Sequence, residues 1–156
     1  MSERLSVGEI CTREVAIAFR NTGLVDAARL MRQAHVGALV VVDELPGKRM
    51  VVGLITDRDI VTAVIAPGLD PRPLNVEDVM TEPVHTMNED DSLIDLLRMM
   101  RDKGVRRVPV LGEQRELVGL VTLDDALEIL AEELDLLVGA IGSEARRERM
   151  RRRPAP

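Results

Sequence analysis

Two Thr-Asp pairs stand out on an otherwise aliphatic background: Thr122 with Asp125, and Thr56 with Asp59. Each closes a Gly-apolar-apolar-Thr-x-x-Asp string, Gly119 to Asp125 and Gly53 to Asp59. A Thr that ends a strand and opens a helix holds its hydroxyl beside free backbone N–H groups, where phosphate binds well. An Asp three residues later lies within one helical turn, and its carboxylate can accept bonds from two adjacent hydroxyls, as in a ribose 2′,3′-diol. The glycine lets backbone approach closely at the strand. Arg106 and Arg107 enter the strand before Gly119, where side chains alternate faces, so one of them can point toward a phosphate near Thr122. The same Thr-x-x-Asp pattern is also a helix cap, and for a single copy capping is sufficient.

Other chemistries find little support. His35 and His85 are the only histidines, and neither stands at metal-ligand spacing with Cys, His or carboxylates, so no metal site is expected. His85 fits a surface or a ligand cleft better. No nucleophile-His-acid set, P-loop or Gly-x-Gly-x-x-Gly occurs, and no catalytic residue is assigned. The expectation is a protein that is not an enzyme and needs no catalytic cofactor.

The elements that position these pairs come in two copies. Val7, Leu24, Met31 and Val36 recur 69 residues later as Val76, Leu93, Met100 and Val105, while the glycine-led strings recur at an offset of 66. Each copy reads β-α-β-β-α. An N-terminal segment leads to an amphipathic helix whose apolar residues fall at spacings of three and four, Leu24, Ala27, Ala28, Leu30 and Met31 in copy one and Leu93, Leu96, Leu97, Met99 and Met100 in copy two. Thr22-Gly23 and Asp91-Ser92 supply the helix starts. A β-branched run follows (Ala38 to Val42; Val108 to Leu111), then a polar turn (Asp43 to Arg49; Gly112 to Glu116) and a second run (Met50 to Ile55; Leu117 to Val121). The three-residue difference in offset is assigned to that turn, where insertions cost little. A second helix then runs over Asp57 to Val64, or from Leu123 onward. The expected divisions are repeat one at 5–66, a Pro/Gly linker at 67–74, repeat two at 75–133, and a C-terminal helix and basic tail at 134–156. One repeat alone is small for a stable core, so the two are expected to pack on each other.

In the last helix, Leu127, Leu130, Leu134, Leu137 and Ile141 keep 3-4-3-4 spacing over two heptads. Such a row packs along its own domain or against a second copy of the chain. The net charge of −6 divides into +4 over residues 144–153 and −10 elsewhere. An acidic body argues against binding nucleic-acid backbones, and the lack of Tyr and Trp argues against stacking single-stranded bases. No apolar run approaches the roughly 20 residues of a membrane helix. The polar start at Met1-Ser2-Glu3-Arg4 and the single Cys11, a semi-buried apolar residue, fit a soluble protein of the reducing cytoplasm.

The tandem resembles the cystathionine β-synthase (CBS) domain pair, or Bateman module. The likeness rests on Val79-Met80-Thr81-Glu82-Pro83-Val84, the helix with Leu96 and Met100, Val105-Arg106-Arg107-Val108-Pro109-Val110 and Gly119 to Asp125, and it covers roughly residues 5–133. Copy one departs from the pattern at Val36 to Asp43, which lacks the Arg pair and the Pro. The resemblance implies an α/β (α+β) fold with the two repeats related by a pseudo-twofold axis. It also implies clefts that take adenosine-containing ligands: AMP, ADP or ATP, with S-adenosylmethionine or NAD as further options. Asp125 would hold ribose, Thr122 would contact phosphate, and Arg106 and Arg107 would supply charge. Val36, Leu120 and the segment with Thr12, Val15 and Ala16 would enclose adenine. The symmetric site would use Thr56, Asp59 and Arg58, with Leu54, Val105, Val84 and His85 around the base. Because Gly37-Ala38 stand where copy two has arginines, the Asp125 site should be the tighter for phosphorylated ligands. A homodimer acting on an unidentified regulated protein is implied as well. A ligand-free adaptor working through the leucine row and basic tail is the alternative.

Overall fold

The computed structural model describes residues 4–152; Met1 to Glu3 of the polar start and Arg153 to Pro156 of the basic tail lie outside the described residues. In chain order the first half holds α1 (Val7–Ile10), β1 (Ile17–Ala18), α2 (Leu24–Ala34), β2 (Ala38–Leu45), β3 (Lys48–Thr56) and α3 (Asp57–Ile60). The second half opens on a 3₁₀ turn, Val76–Asp78, and continues with β4 (Met87–Asn88), α4 (Leu93–Lys103), β5 (Arg107–Leu111), β6 (Leu117–Thr122) and α5 (Leu123–Arg151). The result is a mixed α+β fold of two three-stranded sheets, β1-β2-β3 and β4-β5-β6, each with one parallel and one antiparallel pairing.

The three-and-four spacing does form α2 and α4, which bury Leu24, Ala27 and Met31, and Leu93, Leu96 and Met100. Ser92 caps α4, its Oγ accepting from the Asp95 N–H at 3.2 Å. α2 starts on Gly23 without a side-chain cap; Thr22 instead accepts from the Phe19 N–H at 2.9 Å. Both helices end on a left-handed residue, His35 (φ 54°) and Gly104 (φ 65°), which turns the chain toward the next strand.

The hairpin of copy one differs from expectation. Asp43 to Leu45 pair with Lys48 to Met50, so only Pro46 and Gly47 (φ 80°) make the turn. A two-residue connection with a left-handed glycine lets the ladder continue almost to the tip. The extra residues therefore lengthen the strands rather than the loop. Copy two keeps its open turn, closed by the Gly112 N–H donating to the Glu116 carbonyl at 2.9 Å. The second helix of copy one is also modified: α3 gives way at Val61–Ile65 to a π-helical turn that buries Val64.

Each half completes its core with a residue from the other half. Val7 packs with Leu93, Leu96, Met100, Val108 and Val121, while Val76 packs with Leu24, Met31, Leu39 and Ile55. Backbone bonds hold both exchanges: Val7 N–H donates to the Asp91 carbonyl at 2.8 Å, and Val76 N–H to the Thr22 carbonyl at 2.9 Å. An ion pair closes each crossing, Arg13 with Glu89 at 3.3 Å and Arg20 with Glu82 at 3.7 Å.

The leucine row packs along its own domain only at its start, where Leu130 lines a cleft against α4. Leu134, Leu137 and Ile141 are 62%, 64% and 69% exposed, because α5 runs past the body and is uncovered there among the described residues. No helix among the described residues is long and apolar enough to cross a membrane.

Candidate functional site

The site grows from the strand-to-helix junction of copy two. β6 ends on Thr122, and the Leu123 N–H donates to the Arg106 carbonyl at 2.8 Å, tying the start of α5 to the entry of β5. Thr122 Oγ1 accepts from the Asp125 N–H at 3.2 Å, and Asp125 Oδ2 accepts from the Thr122 N–H at 2.8 Å. This reciprocal cap uses one carboxylate oxygen. It leaves Asp125 Oδ1 and the Thr122 O–H without a hydrogen bond among the described residues. Copy one repeats the arrangement, with Asp59 N–H to Thr56 Oγ1 at 3.1 Å and Thr56 N–H to Asp59 Oδ2 at 2.9 Å. Capping thus accounts for both pairs equally and does not distinguish them.

The surroundings of the second pair carry more information. A cavity of about 240 Å³ opens before it, lined by Thr12, Val15, Ala16, Val36, Arg107, Leu120, Thr122 and Asp125. All eight are residues singled out from sequence. Arg107 belongs there because it opens β5 opposite Thr122 in the β5–β6 register, so the two side chains share a sheet face. Arg106, one step earlier, is exposed and does not line this cavity. Its backbone carbonyl anchors the start of α5.

Glu14, Gly37 and Ala38 also line the cavity and were missed. The signal for the last two was the small-residue pair in copy one. A Cβ at Gly37 would stand 3.2 Å from Asp57 Oδ2 and 3.3 Å from the Arg107 guanidinium, so this glycine leaves room for both, one from each copy. Arg107 is the one basic residue of the lining, against Glu14 and Asp125.

The Thr12 to Ala16 wall is held by copy two. Thr12 and Leu120 exchange two backbone hydrogen bonds, both 2.9 Å, and Arg13 donates to the Gly8 carbonyl at 3.0 Å. Gly119 is the close-approach point. A Cβ there would lie 3.0 Å from the Thr12 carbonyl and 2.5 Å from Cys11 Sγ. The backbone that approaches this glycine is therefore the crossing segment itself. The Cys11 thiol donates to the Gly8 carbonyl at 3.4 Å, and burial pushes its pKa up, partly opposed by the Arg13 charge.

Of the symmetric set, Thr56 and Asp59 sit half-buried at the β3–α3 junction, and Leu54 exchanges backbone bonds with Thr81 at 3.2 and 2.9 Å. Val84 and Val105 are half-buried, while Arg58 and His85 are exposed. No group of three or more His, Cys, Asp or Glu among the described residues could hold a metal ion.

The family model of the CBS domain matches twice, at residues 7–66 and 76–132. The chain belongs to the CBS-domain family. It is a tandem CBS pair, a regulatory module. An uncharacterised protein of Methanopyrus kandleri is 35% identical over 125 residues, a match spanning 80% of this chain and 62% of that protein. The CBS domain-containing protein YhcV of Bacillus subtilis is 36% identical over 120 residues, covering 77% of this chain and 81% of its own. Among solved structures, the CBS domain pair of protein MJ0100, in complex with 5′-methylthioadenosine and S-adenosyl-L-methionine, is similar with a TM-score of 0.71 at 28% identity. That match covers 83% of this chain and 98% of that one.

Proposed function

We propose that this tandem CBS pair is a regulatory module that binds an adenosine-containing ligand at the Thr122–Asp125 site. The observation carrying this reading is the convergence of Asp125, Thr122, Arg107 and an apolar wall from the other repeat on one cavity. Asp125 Oδ1 accepts from the ribose diol while Oδ2 keeps the cap. Thr122 donates to phosphate, with Arg107 supplying charge. Adenine lies between Val36 and Leu120, against the backbone of Thr12 to Ala16. At about 240 Å³ the cavity sits at the small end for ligand sites, which favours a nucleoside or monophosphate such as AMP over NAD. The pair Thr56–Asp59 forms the weaker site, because Ala38 occupies the position of Arg107 in copy one. The complex formed with S-adenosyl-L-methionine and 5′-methylthioadenosine by the MJ0100 pair supports the ligand class.

Ligand binding biases the shape or association of a homodimer, and an unidentified cytoplasmic partner protein reads the change. A ligand acts this way only through differential affinity for two states. Calorimetry with AMP, ADP, ATP, S-adenosylmethionine and NAD tests the first step on the wild type, Asp125→Ala and Asp59→Ala. Binding weakened mainly by Asp125→Ala is expected. Failure of every adenosine ligand to bind, or binding undiminished in the double variant, refutes the proposal.

The exposed row on α5 favours a second reading, an adaptor that needs no ligand. Partner capture that survives Asp125→Ala but is lost on deleting residues 143–156 would select it.

A further inference from the structure

The family-matched segment stops at residue 132, whereas α5 continues to Arg151. Leu130 and Glu133 still line a cleft against α4, with Ile94 and Arg98, but from Leu134 onward every residue of α5 except Gly142 is exposed. That overhang carries an apolar stripe of Leu134, Leu137 and Ile141, continuous with Leu130. It also contains Gly139 and Gly142, with open space around both. Most helices in proteins are held by packing of an apolar face, and each glycine weakens this one by about 1 kcal/mol relative to alanine. An uncovered apolar stripe of this kind marks an interaction surface.

Charge identifies the cover. From Leu123 to Ser143 the helix bears acidic residues, Asp124, Glu128, Glu132 and Asp135 among them, and no Lys or Arg. Residues 146–152 then hold five arginines against one glutamate. Two such helices side by side in parallel would set acid on acid and arginine on arginine. Turned antiparallel in the register that layers Leu130 on Ile141, Arg146 and Arg147 of each helix fall opposite Asp125 and Asp124 of the other, with Glu128 about one turn away. The 3-4-3-4 spacing permits the same orientation, with Leu130 layered on Ile141 of the second copy and Leu134 on Leu137.

We infer that the α5 overhang is a self-association helix that pairs antiparallel with α5 of a second copy of this chain. The inference stands apart from what the cavity binds, so a failed ligand titration would leave it intact. Two heptads are short for a free-standing coiled coil, so the pair is expected to dissociate on dilution.

Disulfide trapping in a Cys11→Ala background tests both partner and direction. Oxidised Leu130→Cys/Ile141→Cys should run as a covalent dimer on a non-reducing gel, while Leu130→Cys alone should stay monomeric. Self-linking of Leu130→Cys, which a parallel pair would give, overturns the inference, and so does absence of linking in both variants. Sedimentation across a concentration series supplies the second readout. Leu134→Glu/Leu137→Glu changes only exposed residues, so the fold should survive. A shift of the monomer–dimer midpoint of about tenfold or more is expected; an unchanged midpoint overturns the inference.

Discussion

The two glycines that open the repeated strings should respond differently to the same substitution. At Gly119 an added Cβ would meet Cys11 Sγ at 2.5 Å, the Thr12 carbonyl oxygen at 3.0 Å and Cys11 Cβ at 3.2 Å. At Gly53 the three nearest atoms all belong to the Met80 side chain, Sδ at 2.5 Å, Cγ at 3.1 Å and Cε at 3.4 Å. Methionine has three rotatable bonds and can swing aside. The Thr12 carbonyl is backbone, held by its bridge to Leu120, and relief there means weakening two hydrogen bonds. Overpacking of about 1–3 kcal/mol with partial loss of two bonds near 1 kcal/mol each puts Gly119→Ala at about 2–4 kcal/mol. Gly53→Ala should stay below about 1 kcal/mol, since alanine is also the better strand residue. At about 2–4 °C per kcal/mol for a chain of this length, the midpoint falls by roughly 5–15 °C in the first case and by under about 4 °C in the second. Thermal unfolding of both variants, with urea titration to confirm, makes the comparison. Cys11→Ala added to Gly119→Ala should recover part of the loss. If Gly53→Ala melts at or below Gly119→Ala, the account of the crossing segment is wrong.

Other variants separate the roles within the site. Asp125→Asn keeps an acceptor for the Thr122 N–H but loses the charge, so apo stability should hold within about 2 °C while affinity for an adenosine ligand falls about 10–100-fold; retained affinity would refute the ribose assignment. Arg107→Ala should weaken AMP about 5–50-fold with little effect on adenosine, and Arg106→Ala should change neither appreciably; equal effects in calorimetry would show the charge to be nonspecific. His35→Gly, at φ 54°, should stabilise by about 0.5–1 kcal/mol in urea unfolding; destabilisation would mean the imidazole has an unrecognised role. Because the folded state raises the Cys11 thiol pKa, the contribution to stability is present while the thiol is protonated and is lost as pH rises through the folded value. Wild type should therefore lose slightly more stability than Cys11→Ala as pH rises above about 8.5; parallel pH profiles would show the thiol to be uninvolved.

Much of this molecule was legible in local patterns. Helical spacing at Leu24 to Met31 and Leu93 to Met100 exposed the buried faces, and the glycine-led strings marked both strand-to-helix junctions, because each depends on residues close in the chain. What escaped depends on distant neighbours. Nothing near Val7 says that it completes the core of the second half. Alternation showed that one arginine of the pair would face the site, but choosing Arg107 needed its register opposite Thr122. The inserted residues looked like loop because they are polar, yet they zip into strand at the exposed hairpin end, where polar side chains cost nothing. α5 shows the reverse case: its apolar spacing was visible, but only the structure shows that its own body leaves the row uncovered from Leu134 onward.

The two ion pairs at the crossings have a consequence for how repeats choose one another. They occupy equivalent positions, since Arg13 corresponds to Glu82 and Arg20 to Glu89, yet the polarity is reversed. Copy one is Arg at both positions and copy two is Glu at both. Were copy one to cross with another copy one, Arg13 would face Arg20; two second copies would set Glu82 against Glu89. Only the mixed pairing joins opposite charges at both ends. An exposed pair adds little stability, about 0–1 kcal/mol, but its like-charged counterpart would repel. At these two crossings unlike repeats meet through opposite charges where like repeats would meet through equal ones, a modest bias at exposed positions toward the pairing the fold adopts.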